Sequence, residues 1–157
     1  MKFVIMAVGK TATPHIREGI DMYLKRLVHY IPVDINIIPD VKSAKNLTEA
    51  KQKEMEGQQM LNLLMPGDYV VLLDEKGKEF TSRQFADHLD RKMNSVPKRV
   101  VFIIGGPYGF SEQVYGRANE KLSLSKMTFN HEMVRLFFVE QIYRAMTILR
   151  GEPYHHD

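Results

Sequence analysis

The chain has 157 residues and a net charge of +3, with 44% hydrophobic and 26% charged residues, which is the make-up of one globular domain (1–157) able to bury a core. It has no cysteine, which excludes disulfides, thiolate zinc sites and a cysteine nucleophile at once. The charge permits a polyanionic partner but falls well short of a nucleic-acid-coating polycation.

Residues 2–8 read as a first strand, an apolar run too short to span a membrane. No other stretch approaches that length, so a cytoplasmic protein without membrane contact is expected. "TPHIREGIDMYLKRLVHY" reads as a helix, with Thr13 as N-cap, Pro14 at the first position and a stripe of Ile16, Ile20, Tyr23, Leu24 and Leu27. A second strand over 33–38 leads into a polar linker of Pro39, Lys42, Ser43 and Lys45. Residues 47–65 are helical by pattern, with Met55, Leu61 and Leu64 among charges read as a solvated face.

A third strand covers 68–74, and Lys76-Gly77-Lys78 marks a turn. Thr81 with Gln84 three residues on has the spacing of a capping box, opening a helix with Phe85, Leu89 and Met93 on one side. A fourth strand ends abruptly in Gly105-Gly106-Pro107-Tyr108-Gly109, after which Ser111 opens a short helix. A brief strand over 121–125 and a long helix over 131–149 complete the pattern, and Gly151 and Pro153 stop that helix. The alternation predicts an α/β fold, a largely parallel sheet with helices on both faces. Ligands in such folds bind beyond the carboxyl ends of strands, which is where Leu73, Asp74 and the Gly105 loop fall.

The glycine loop fails both phosphate fingerprints. Pro107 and Phe110 occupy positions where G-x-G-x-x-G needs glycine, no lysine follows as in a P-loop, and Pro107 removes an N–H that an anion nest would use. A ligand wall and a plain strand-to-helix turn both remain open. No G-x-S-x-G is present, the histidines lack metal-ligand spacing, and no metal is expected.

"HEMVRLFFVEQIYRAMTILR" (131–150) is apolar almost all the way round, with Ile142, Phe138 and Leu149 on one side and Met133, Phe137 and Ile148 near the other. A terminal helix of that kind needs cover on every side, so a twofold homodimer across it is expected. Glu140 and Arg144 have the spacing of a helical ion pair. Arg135 amid core residues needs an anionic or carbonyl partner. The tail carrying Tyr154, His155 and His156 either frays or folds over a site.

Five pieces in order, "AVGK" (7–10), "EMEG" (54–57), "LLDEKGK" (72–78), "FIIGGPYG" (102–109) and "LSLSKMTFNHEMVRLFFVEQIYRAMTILRGEPYH" (122–155), make the whole chain resemble the RlmH family. These are small bacterial SPOUT-class methyltransferases acting on a pseudouridine of large-subunit (23S) ribosomal RNA. The resemblance implies a SPOUT-type α/β knot (a C-terminal trefoil knot), S-adenosylmethionine as methyl donor, a homodimer, and the ribosome as partner. It implies cofactor binding by Leu73, Gly105, Leu124, Ser125, Lys126, Met127, Thr128 and Phe129. One departure stands beside these residues: Asn130 occupies a position where the family commonly has proline, and a second is the doubled His155-His156.

Methyl transfer to N3 of pseudouridine requires positioning of two reactants and loss of the ring proton. Arg135, Tyr154 and His155 are the residues expected near cofactor or nucleoside, and His131 is a candidate base or a helix-start residue. Modification of another RNA such as tRNA, and a non-catalytic cofactor-binding module, are the alternatives that the sequence leaves open.

Overall fold

The computed structural model describes residues 1–41 and 44–157, so Lys42 and Ser43 of the expected linker lie outside the described residues. Five strands, β1 (Lys2–Val8), β2 (Val33–Ile38), β3 (Tyr69–Glu79), β4 (Arg99–Ile104) and β5 (Glu120–Ser123), form one sheet in the order β2-β1-β4-β3-β5. Every pairing within it is parallel. The helices are α1 (Pro14–Leu27), α2 (Glu49–Leu63), α3 (Ser82–Ser95), α4 (Glu112–Arg117) and α5 (Met133–Leu149).

Strand alternation sorts the core into two layers. Phe3, Ile5 and Ala7 of β1 and Val100, Phe102 and Ile104 of β4 face Ile16 and Ile20 of α1, Phe85 and Leu89 of α3, and Phe138 and Ile142 of α5. Val4 and Met6, with Val101 and Ile103, face Met60 of α2 and Val114 of α4. β4 is buried at all of its positions, as a central parallel strand covered on both faces must be.

Local signals set the helix starts. Thr81 and Gln84 make the full capping box, Thr48 accepts from the Lys51 amide, and Ser111 accepts from the Val114 amide. At α1 the hydroxyl of Thr13 does not cap its own helix; it donates to Glu132 from the other end of the chain. Asn130 accepts from the amides of Glu132 and Met133, so it supplies the cap for the start of α5.

Three expectations change. Lys76-Gly77-Lys78 is no terminating turn, because β3 continues to Glu79 through an irregularity in which both Leu73 and Lys78 pair with Leu122. The buried face of α2 is Glu56, Gly57 and Met60, so Glu56 is not part of a solvated face. Leu149 is exposed and does not join Ile142 and Phe138 in the core.

Candidate active site

Beyond the carboxyl ends of β3, β4 and β5 lies a cleft of about 510 Å³. Its walls are the end of β3 with the bulge after it (Leu73, Asp74, Glu75, Lys76), the loop after β4 (residues 104–110), and the segment between β5 and α5 (Leu124 to His131). Each wall has a local cause. A Cβ on Gly77 would stand 2.6 Å from the Leu122 nitrogen, so only glycine lets the bulge cross β5 this closely and turn residues 74–76 toward the cleft. The loop after β4 closes on itself, the Gly109 amide donating to the Gly106 carbonyl at 3.2 Å with Gly109 at φ +81°. The segment after β5 is shaped by serines: Ser123 Oγ donates to the Ser125 carbonyl at 3.1 Å, and the Met127 amide donates to Ser125 Oγ at 3.0 Å.

At Gly105 a Cβ would meet the Phe110 ring at 3.1 Å, so the ring packs closely under the loop and would have to give by a few tenths of an ångström to admit a side chain. On the opposite wall Tyr115 donates its hydroxyl to Asp74, and Asp74 also accepts from the Lys76 amide at 2.9 Å. Burial, then the hydrogen bond and charge of Asp74, push the Tyr115 phenol up to about 12. That phenol stays protonated across the physiological range and acts as a donor.

Of the residues the sequence assigned to a cofactor, Leu73, Gly105, Leu124, Ser125, Met127, Thr128 and Phe129 line this one cleft. Lys126 does not line it; its ammonium is exposed, 4.0 Å from Glu79. His131 lines the cleft at the turn into α5. Sequence reasoning missed Asp74 and Tyr115 as a pair, because they lie 41 residues apart and meet only through the sheet order.

A family model described as "Predicted SPOUT methyltransferase" matches residues 1–155. The chain belongs to the SPOUT methyltransferases. Curated relatives called "Ribosomal RNA large subunit methyltransferase H" come from Parabacteroides distasonis, 62% identical over the whole of both chains, and Bacteroides thetaiotaomicron, 57% identical over the whole of both. A third, from Flavobacterium johnsoniae, is 55% identical over 99% of each chain. A solved methyltransferase from Legionella pneumophila, described with bound cofactor SAM, covers 92% of this chain and 66% of its own at 13% identity and a TM-score of 0.47, too distant to bear on the assignment.

In this SPOUT methyltransferase Arg135 sits behind the cleft rather than in its wall. The residue is 2% exposed, and its guanidinium donates to the Val8 and Gly9 carbonyls at 2.7 Å each, to Thr11 Oγ1 at 3.0 Å and to the His131 carbonyl at 3.2 Å. Carbonyls are therefore the partners that its burial required, and they tie the end of β1 to the turn carrying His131. Burial lowers the Arg135 pKa, with the charges of Glu132 and Asp40 opposing, and the group stays cationic.

Tyr154 and His155 also stand apart from the cleft lining of their own chain. The Tyr154 hydroxyl donates to Glu140 at 3.0 Å and lies 3.2 Å from the Tyr23 hydroxyl, while its ring packs on Tyr143 and under Arg144. His155 bridges Arg144 (3.1 Å) and Asp157 (2.7 Å), and Asp157 pairs with Arg83 of α3. Glu140 and Arg144 form the expected helical pair at 2.6 Å. The tail is thus docked along α5 rather than frayed. Among the described residues no helix is long and apolar enough to cross a membrane, and no group of three acidic or imidazole side chains is placed to hold a metal ion.

Proposed function

We propose that this protein transfers a methyl group from S-adenosylmethionine to N3 of a pseudouridine in large-subunit (23S) ribosomal RNA, acting in the cytoplasm on the assembled ribosome. The observation that carries the reading is the convergence of Leu73, Gly105 and the 124–129 segment on one cleft, although they are far apart in sequence. The relatives' shared name, at 55–62% identity over the chain, supports the substrate class.

The cleft fits that cofactor. Its volume lies within the roughly 300–1,000 Å³ usual for small-molecule sites. Leu73, Ile104, Leu124, Met127 and Phe129 offer apolar walls for a base and a methylene chain, and Asp74 offers a carboxylate for a cationic ligand. When bound, S-adenosylmethionine supplies the electrophilic methyl group of its sulfonium. The chain's own part is to hold two reactants in line and exclude water between them.

His131 is the group in the cleft wall suited to take the N3 proton, and Arg135 holds its turn in place through the His131 carbonyl. Tyr154 and His155, held on Glu140 and Arg144, would reach a cleft only in a homodimer across α5, which the 41% exposure of Phe137 supports. A C-terminal trefoil knot belongs to the same reading. The chain leaves the sheet edge at β5 and returns as α5 to pack beside α1 and α3.

A tritiated methyl-transfer assay comparing ribosomes, free large-subunit RNA and tRNA tests the proposal. Incorporation into ribosomes at pseudouridine is expected. Incorporation into tRNA alone, or into nothing while the cofactor binds, would replace it with one of the alternatives.

A further inference from the structure

The "EMEG" stretch of α2 contributes nothing to the cleft wall, yet it supports the cleft from beneath. Glu56 is 2% exposed. Its Oε2 accepts from the Gln52 amide at 3.2 Å, and its Oε1 has no hydrogen-bond partner among the described residues. The carboxyl lies flat against Gly106, where a Cβ would stand 2.5 Å from Oε1 and 2.8 Å from Oε2. The next residue braces the far end of the same loop: a Cβ on Gly57 would stand 2.4 Å from Ser111 Oγ, the cap of α4.

A buried carboxyl with one oxygen unsatisfied is costly, and its two protonation states ask for opposite partners. Ionised, Oε1 can only accept, so the loop must present an N–H. Protonated, the carboxyl donates, so the loop must present a carbonyl. Pro107 has no N–H, so of the two peptides flanking Gly106 the one between Gly105 and Gly106 is the one able to answer both states, with an N–H or with a carbonyl. Two adjacent glycines let that peptide turn over at little steric cost. The charged group bearing on Glu56 is Asp40, just beyond β2; α4 brings the Ser111 hydroxyl, and the loop brings backbone. Burial, opposed by the Gln52 hydrogen bond and aided by the Asp40 charge, lifts the Glu56 carboxyl above its ordinary value.

We propose that Glu56 is a positioning residue for the cofactor loop, its protonation selecting the facing of the Gly105–Gly106 peptide and through it the affinity of the cleft for its cofactor. The inference rests on reading the cleft as the S-adenosylmethionine site. By reciprocity, a ligand that prefers one loop setting must also shift the proton affinity of Glu56, so binding exchanges protons with the buffer.

Calorimetry with S-adenosylmethionine in buffers of different ionisation enthalpy, between about pH 5 and 8, reads that exchange. For the unsubstituted protein the binding enthalpy depends on the buffer and the affinity changes about fivefold or more over the range. Glu56→Gln, which keeps size and removes titration, loses both dependences. Retention of both in the variant overturns the proposal, as does a buffer-independent enthalpy in the unsubstituted protein, whatever the variant does. If S-adenosylmethionine fails to bind the unsubstituted protein, the cofactor reading falls, and ligand-free amide hydrogen exchange decides the role of Glu56. Protection at 105–110 that follows pH in the unsubstituted protein, but not in Glu56→Gln, supports the coupling. The same pH response in both proteins removes it.

Discussion

Two glycines, one in the β3 bulge and one in α4, have opposite requirements. Gly77 lies against the β5 backbone, 2.6 Å from where its Cβ would be, and backbone cannot yield as a flexible side chain can. Gly116 in α4 has nothing within 4 Å of its Cβ direction. Gly77→Ala is expected to cost roughly 1–3 kcal/mol in urea unfolding and to weaken cofactor binding, because the displaced bulge is a cleft wall. Gly116→Ala is expected to be neutral or to stabilise by up to about 1 kcal/mol, by relieving a helical glycine. Equal effects from the two substitutions would mean that the bulge is not held by close approach to β5. Arg135 makes the complementary point. Its need for carbonyl partners follows from its apolar neighbours, but Gly9 lies 126 residues away, and no local pattern says which carbonyls serve.

At the scale of elements, the short edge strand β5 is secured by a polar cluster rather than by length. Glu120 receives the Tyr69 hydroxyl at 2.8 Å and pairs with His88 at 2.6 Å and Lys92 at 3.2 Å, both from α3. Burial raises the Glu120 pKa, but the hydrogen bonds from His88 and Tyr69, aided by the charges of His88 and Lys92, prevail and hold it below the ordinary carboxylate range. A depressed acid contributes stability that is present above its unfolded pKa and disappears as pH falls through its folded pKa. Glu120→Gln should therefore lower the unfolding free energy at pH 7 by about 1–2 kcal/mol, with the gap to the unsubstituted protein closing in acid. A gap that is constant with pH would show that the charge is not what matters. Element identity was legible in the sequence wherever a local device set it, as with the Thr81–Gln84 box and the unbroken apolar runs of β1 and β4. The bulge at Gly77 and the burial of Glu56 were not legible. The first depends on where β5 pairs, and the second on a helix whose charges surround its buried face. Most of the candidate cleft could be read as matched segments, but not their meeting place, which the strand order decides.

For the whole molecule, the proposed homodimer and the docked tail make separable predictions. Phe137→Glu on the exposed side of α5 should give a monomer in light scattering at low micromolar concentration, and it should also weaken cofactor binding, because the Phe137 ring packs 5.3 Å from Phe129 of the cleft wall. Deleting residues 153–157 removes Tyr154 and His155 but none of the sheet or its core, so a folded dimer without methyl transfer is expected. Unchanged turnover in the truncated protein would take the tail out of the mechanism. The layout of the cleft also has a consequence for how the enzyme is made. Its walls come from β3, β4 and the stretch running from β5 into α5, so a large share of the site lies in the last third of the chain. Domains tend to form from the N-terminus as synthesis proceeds. A nascent chain stalled before residue 120 would hold β1 to β4, including all three inner strands, yet it would lack the wall that runs from β5 into α5. On the proposed reading, the cofactor can therefore reward only a chain made through the start of α5, where His131 and Val134 close the lining.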